Sequence, residues 1–208
     1  MKKISLFIIA IALSISVNAE EMFGVGGYYG YASPADLGDG DTYGLHMDFD
    51  FSPNFSARMG FGYMSGFEVK NYDNDSFIGY IGKEFMLDDI DIGCFEMGVI
   101  FKTNPLLDVL TFYCGAGFCS YYIPDIDIRG RNRWEDTTVE FDPTFGFWGC
   151  VGIEAGIPNF KVFVEVKGTW ADNPDVNIAV YDWFYEYHGD VAIDLTNVQT
   201  IAGAKFVF

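Results

Sequence analysis

Residues 196–208 run Thr196-Asn197-Val198-Gln199-Thr200-Ile201-Ala202-Gly203-Ala204-Lys205-Phe206-Val207-Phe208. The even positions Val198, Ala202, Ala204, Phe206 and Phe208 are mostly apolar. The odd positions Asn197, Gln199, Gly203 and Lys205 are polar or small, with Ile201 and Val207 as exceptions. A period of two is the mark of a strand. An apolar face opposite a face that holds a lysine suits a strand with lipid on one side and a wet interior on the other.

The same alternation recurs upstream. Phe23, Val25, Gly27, Tyr29 and Tyr31 alternate with Gly24, Gly26, Tyr28 and Gly30. Tyr43 to Phe51 and Phe55 to Tyr63 flank the tight turn Ser52-Pro53-Asn54. Pairing Phe51 with Phe55 sets Met47 opposite Met59 and Tyr43 opposite Tyr63 on an apolar face. It also sets Asp48 opposite Arg58 on the other face, a cross-strand charge pair of the kind that lines a barrel lumen. Gly93 to Thr103, Thr111 to Tyr122, Phe145 to Ile157 and Phe160 to Trp170 repeat the pattern.

The connections sort into two kinds. Three are short and set Pro beside Asn: Pro53-Asn54, Asn104-Pro105 and Pro158-Asn159. Four are long and acidic: 33–41, 65–91, 123–140 and 171–190. Short and long alternate, as tight periplasmic turns and longer external loops do in a membrane barrel. Eight strands satisfy that alternation. Counting 77–85 as a ninth spanning strand breaks it, so that segment reads as part of an extended external hairpin. Outward tyrosines and Trp170 lie beside the long connections, and outward phenylalanines lie beside the short ones. This places two interfacial girdles. The reading is an all-β, eight-stranded antiparallel up-and-down transmembrane β-barrel with short periplasmic turns and long acidic extracellular loops.

The chain opens on Met1-Lys2-Lys3, followed by an apolar stretch from Ile4 to Val17 and the sequence Val17-Asn18-Ala19. A basic start, an apolar run too short to span, and small or apolar residues at −3 and −1 describe a signal peptide. Residues 1–19 therefore read as a signal peptide and 20–208 as one barrel domain. Thirty acids against twelve Lys and Arg give a formal net charge of −18. That charge argues against nucleic acid and against anionic surfaces unless a divalent cation bridges them.

The signal segment, Tyr113-Cys114-Gly115-Ala116-Gly117-Phe118, Gly152-Ile153-Glu154-Ala155-Gly156 and the terminal Phe208 resemble the small bacterial outer-membrane β-barrel superfamily. That group includes the OmpA transmembrane domain, OmpX, OmpW and opacity-type proteins. The resemblance implies a monomer in the outer membrane, in contact with lipid and lipopolysaccharide. It implies either a structural or surface-interaction barrel or, as in the OmpW group, a narrow path for small solutes.

Candidate sites follow from facing. Asp48, Asp50, Glu96, Glu154 and Glu165 share the inward face with Arg58, Lys102, Lys161, Lys167 and Lys205, five acids with five bases. Such a set forms either a plug of ion pairs or a gated path. Pairing Lys102 with Thr111 sets Cys94 opposite Cys119, both inward, at a separation a disulfide bridges. Cys114 faces lipid and Cys150 the lumen. Asp36, Asp39 and Asp41 crowd carboxylates as calcium loops do, without the EF-hand spacing. Arg129, Arg131 and Arg133 form a basic cluster that meets either lipopolysaccharide phosphates or neighbouring acids. His46 is inward and His188 lies in the last long connection. Neither has a serine beside it in sequence, so no catalytic set is formed. No pattern asks for a cofactor.

Overall fold

The computed structural model describes residues 23–35, 38–67, 90–106, 109–124, 126–129, 136–157, 159–171, 175–182, 185–192 and 195–208. Among these residues, twelve strands form two sheets. Eight of them close a barrel: β1 (Phe23–Pro34), β2 (Gly40–Ser52), β3 (Phe55–Phe67), β4 (Ile90–Lys102), β5 (Leu110–Tyr122), β8 (Thr144–Ile157), β9 (Phe160–Ala171) and β12 (Asn197–Val207). Their order around the wall is β1-β12-β9-β8-β5-β4-β3-β2, and every neighbour pair is antiparallel. Closure leaves no edge, which a wall in hydrocarbon requires.

The period of two sets the facing. In β12, Asn197, Gln199, Ile201, Lys205 and Val207 are buried in the lumen, while Val198, Ala202 and Phe206, with Phe208 just past the strand, are exposed outside. Ile201 and Val207 break the polar pattern of that face yet keep its direction. The seam closes as Gly26 pairs with Lys205 and Tyr29 with Ala202. It extends past the ladder, where Phe208 N–H donates to the Phe23 carbonyl at 2.8 Å.

Between β2 and β3, Met47 pairs with Met59, Tyr43 with Tyr63 and Asp48 with Arg58. The register shifts only beside the turn, where Ser52 rather than Phe51 stands opposite Phe55. The Phe51 and Phe55 rings still meet, with centroids 5.7 Å apart. The short turns are stitched together. Asn54 Nδ2 donates to the Lys102 carbonyl at 2.8 Å and to Asn104 Oδ1 at 3.0 Å. The asparagines beside these prolines thus tie one turn to the next.

Two of the long connections are not plain loops. The 123–140 stretch contains β6 (Ile126–Arg129) and the start of β7 (Asp136–Phe141). The 171–190 stretch contains β10 (Asp175–Asp182) and most of β11 (Tyr185–Ala192). Together they form a second sheet of order β11-β10-β7-β6. That order repeats β12-β9-β8-β5, the barrel strands from which each segment continues. The strand order of the second sheet thus follows the chain continuity of half of the barrel wall. Two of the described crossings carry proline, at Pro124 and Pro143. Proline has no N–H for the ladder, so the wall is interrupted there and resumes beyond. Residues 1–19 and 77–85 lie outside the described residues.

Candidate functional site

The lumen is built from inward positions on all eight barrel strands. Near the short-turn end, Lys102 Nζ meets Asp50 Oδ1 at 2.6 Å, and Lys161 Nζ lies 3.6 Å from Glu154 Oε1. Lys205 bridges inward, 2.5 Å from Glu154 Oε2 and 3.1 Å from Asp48 Oδ2. At the centre, the Arg58 guanidinium donates through Nε to Asp48 Oδ1 at 2.8 Å and through Nη1 to Glu165 Oε2 at 2.7 Å. Its planar fork joins carboxylates from two distant strands, a task a lysine performs less well. Above it, Lys167 Nζ reaches Glu96 Oε1 at 2.5 Å.

Aromatic side chains complete this network. Tyr113 hydroxyl donates to Glu165 Oε2 at 3.0 Å, and its ring lies 5.5 Å from the Arg58 guanidinium carbon. The Tyr28 ring lies 5.7 Å from Lys167 Nζ. His46 is packed between the Tyr28 and Phe163 rings, its Nε2 4.0 Å from Asp48 Oδ2. The sequence placed Tyr28 and Tyr113 on the inward face. A tally of acids and bases overlooks them because their contribution is a hydroxyl and a ring.

Toward the other end the lumen changes character. Met64, Phe67, Ile92, Ile123 and Leu195 are all buried there, with Tyr121 and Trp148 beneath them. Trp148 Nε1 donates to the Phe118 carbonyl at 3.1 Å. Asn197 and Gln199 hydrogen-bond to each other at 3.0 Å within this layer. The lumen is therefore a charged lower half capped by an apolar upper half. Asp48 and Lys167 are 1% exposed and Phe67 is 0% exposed. Among the described residues, the side chains named here fill the interior of both halves and are almost wholly buried.

The cysteine pairing expected from the sequence does not form. Lys102 pairs with Tyr113, two residues beyond Thr111. The chain reverses between Leu106 and Leu110, whose backbones hydrogen-bond to each other, and not at Asn104-Pro105 itself. A shift of two preserves every facing but changes every partner. Cys119 now opposes Glu96 and Cys94 opposes Tyr121. The two thiols are diagonal neighbours, with Cα atoms roughly 7–8 Å apart by sheet geometry, beyond the usual disulfide range. All four cysteines are free, and Cys94 Sγ lies 3.6 Å from Glu96 Oε1. Cys114 is exposed on the outer wall and Cys150 is buried inside.

The acidic run disperses in the same way. Asp41 sits in β2 and accepts from the Tyr29 hydroxyl at 2.7 Å, while Asp39 accepts from Ser33 Oγ at 2.7 Å. Asp36 lies outside the described residues, as do Arg131 and Arg133, whereas Arg129 ends β6. Among the described residues, no three His, Cys, Asp or Glu converge as a metal site would require.

The second sheet has two unlike faces by register. Val176 pairs with Phe141 and Val191, and Ile178 with Val139 and Gly189. Ile126 in turn pairs with Val139. These positions share one apolar face. The positions between them, among them Asp136, Glu140, Glu186 and Asp190, share the other.

Outside the barrel, exposed Phe51, Phe101, Phe112, Phe160 and Phe206 ring the short-turn end. Exposed Tyr29, Tyr31, Tyr43, Tyr122 and Trp170 ring the other. These girdles bracket an apolar band of the kind that spans about 25 Å of hydrocarbon. Comparison with solved structures agrees. The chain is similar to the outer membrane protein OprG of Pseudomonas aeruginosa, with TM-score 0.68, 13% identity, and coverage of 93% of this chain and 98% of that one. It is similar to a major outer membrane protein of Thermus thermophilus, with TM-score 0.63 and 13% identity over 91% of this chain and 100% of that one. Neisserial surface protein A gives TM-score 0.56 at 11% identity, over 91% and 98% of the two chains. No protein-family model and no curated protein matches the sequence. At such identities the likeness speaks for the fold, an eight-stranded outer-membrane β-barrel.

Proposed function

We propose that the protein is a non-conducting, non-catalytic barrel of the outer membrane, a rigid support that holds acidic segments at the cell surface. The observation that carries this reading is the filled lumen. Arg58, Asp48, Glu165 and Lys205 are buried and joined in one set of ion pairs, Lys167 is buried against Glu96, and the apolar layer of Met64, Phe67 and Ile92 lies above them. Moving an ion along this axis requires breaking buried pairs and then crossing a layer with no charged partner to offer.

The surface role rests on charge. The 175–192 hairpin carries Asp175, Asp182, Glu186 and Asp190 and no Lys or Arg, and Asp39 and Asp41 flank the start of β2. Such a surface attracts divalent cations and, through them, the phosphates of neighbouring lipopolysaccharide. Cleavage after Ala19 delivers the domain to the envelope in this account.

Proteoliposome swelling tests the reading. Vesicles holding the refolded 20–208 chain should swell in small sugars or amino acids no faster than empty vesicles. Swelling that depends on solute size is the behaviour of a pore and contradicts the proposal. A second reading, passage of a small apolar solute, draws on the apolar upper lumen. Saturable uptake of a fluorescent apolar probe by the same vesicles supports that alternative.

A further inference from the structure

The lipid-facing belt of the barrel is uneven in height. On β1, β2, β3 and β4 the outward run of apolar, aromatic and small residues extends from Phe23 to Tyr31, Tyr43 to Phe51, Phe55 to Tyr63 and Gly93 to Phe101, eight residue steps on each strand. The next outward positions toward the long connections are Ser33, Asp41, Ser65 and Asp91, all polar. Two of them are fixed in that direction. Asp41 accepts from the exposed Tyr29 hydroxyl at 2.7 Å, and Asp91 is hydrogen-bonded to Tyr63, whose ring meets Tyr43. On β5 and β8 the outward run extends from Leu110 to Tyr122 and from Phe145 to Ile157, twelve steps without a charged residue. Phe145 and Ile157, the two ends of the β8 run, are 68% and 65% exposed. β9 and β12 are intermediate, ten steps each from Phe160 to Trp170 and from Val198 to Phe208.

A strand tilted by about 40° gains roughly 2.5 Å of height per residue. The wall of β1–β4 therefore suits hydrocarbon over roughly 20 Å, and that of β5 and β8 over roughly 30 Å. The taller wall matches the hydrocarbon core of an ordinary bilayer, about 30 Å, and the shorter one falls about 10 Å below it. Tilting the barrel raises one wall as it lowers the other and changes neither height. Adjacent strands show the step directly. Gly93 pairs with Tyr122 and Phe101 with Cys114. Beyond those pairs β4 offers Asp91 and the exposed Thr103, whereas β5 adds Phe112 and Leu110 at the short-turn end.

We propose that the barrel holds a locally thinned bilayer against β1–β4 and gathers there the lipids with short acyl chains that fit it. A wall shorter than the surrounding hydrocarbon is accommodated by thinning of the bilayer beside it. Covering Asp41 and Asp91 with hydrocarbon instead strips water from two carboxylates, and the neutral tyrosine hydroxyls beside them do not compensate a charge there. The four short strands are neighbours in the wall, so the thinned zone covers one continuous half of the circumference. The occupant is lipid because this face is continuous with the girdled belt that meets lipid around the rest of the barrel. The inference holds whether or not the lumen conducts.

The test uses the 20–208 chain carrying Cys94→Ala, Cys114→Ala, Cys119→Ala and Cys150→Ala, refolded into vesicles of equimolar dilauroyl and dioleoyl phosphatidylcholine. A fluorophore is attached to the short wall through Leu45→Cys or to the tall wall through Val151→Cys, both outward and exposed positions. A trace of phosphatidylcholine with a nitroxide at the same carbon of either the short or the long chain quenches the label by contact. On the short wall the short-chain nitroxide should quench at least twice as effectively as the long-chain one, and on the tall wall no more effectively. Adding Asp41→Leu and Asp91→Leu lengthens the runs of β2 and β4 by two residues each and should bring the short-wall ratio toward the tall-wall one. Migration with and without boiling shows that each variant is folded, since an intact barrel migrates differently from the unfolded chain. Equal ratios on the two walls overturn the proposal, as does a short-wall ratio that ignores the carboxylate substitutions. A short-wall label shielded from both lipids shows that protein covers the wall and overturns it too.

Discussion

Replacing Arg58 with Met keeps most of the side-chain volume and removes the charge that joins two carboxylates. In the wild type, Arg58 bonds Asp48 at 2.8 and 3.3 Å and Glu165 at 2.7 Å. Without it, Asp48 keeps Lys205 at 3.1 Å, and Glu165 keeps the Tyr113 hydroxyl at 3.0 Å. Asp48 and Glu165 are only 1% and 2% exposed, so water is a poor replacement partner. Breaking a buried pair from one side costs about 3–5 kcal/mol. Lys205 offsets part of the loss at Asp48, so the cost concentrates on Glu165. Arg58→Met should therefore destabilise the barrel by about 3 kcal/mol or more. The double variant Arg58→Met/Glu165→Met should recover at least about 1 kcal/mol of that, because it removes the stranded carboxylate. Reversible urea unfolding in lipid vesicles, followed by tryptophan fluorescence and by the migration shift on boiling, measures both. A loss under about 1 kcal/mol, the value of an exposed pair, would show these charges to be solvated and the filled lumen to be wrong.

Further predictions concern the wall. Unreduced, denatured 20–208 chain should take up four maleimides by mass, one for each free cysteine; uptake of two would restore the Cys94–Cys119 disulfide that the register disfavours. Gly98 sits beneath Trp148, where an added Cβ would lie 2.5 Å from Cζ2 of that ring and 2.8 Å from the Gly117 Cα. Gly98→Val should cost about 1–3 kcal/mol or block refolding, and a variant as stable as wild type would mean the indole is placed elsewhere. Native-state amide exchange should be slow for the barrel-centre residues Val164 and Ala202 and fast at Asp142 beside Pro143, where the ladder stops. Uniform protection through that crossing would contradict the division into two sheets.

The barrel was legible because a single physical rule, alternation between lipid and lumen, acts on every spanning residue. It placed Asp48 opposite Arg58 and turned Lys205 inward without reference to any distant contact. Facing is robust to a register error of two, which is why Cys94 and Cys119 were rightly placed inside and wrongly paired. Their register depended on where the chain turns between Thr103 and Phe112, and Asn104-Pro105 signals a turn without fixing its centre. The second sheet was hidden for another reason. Asp127, Glu140, Asp175 and Glu186 made its segments read as acidic loop, although Val176, Ile178 and Val180 alternate as cleanly as the spanning strands do. Tyr113 and Tyr28 were assigned the right face, but their partners come from strands far away in sequence, and only the closed wall brings these together.

Single-channel recording of the refolded 20–208 chain in planar bilayers tests the central claim, that buried ion pairs and an apolar layer close the lumen. The account predicts a silent membrane at every voltage at which the bilayer itself is stable. Lys167→Ala, which removes the partner of Glu96 but leaves the apolar layer in place, should be equally silent. Discrete openings of the wild type, with conductance that scales with salt, would contradict it.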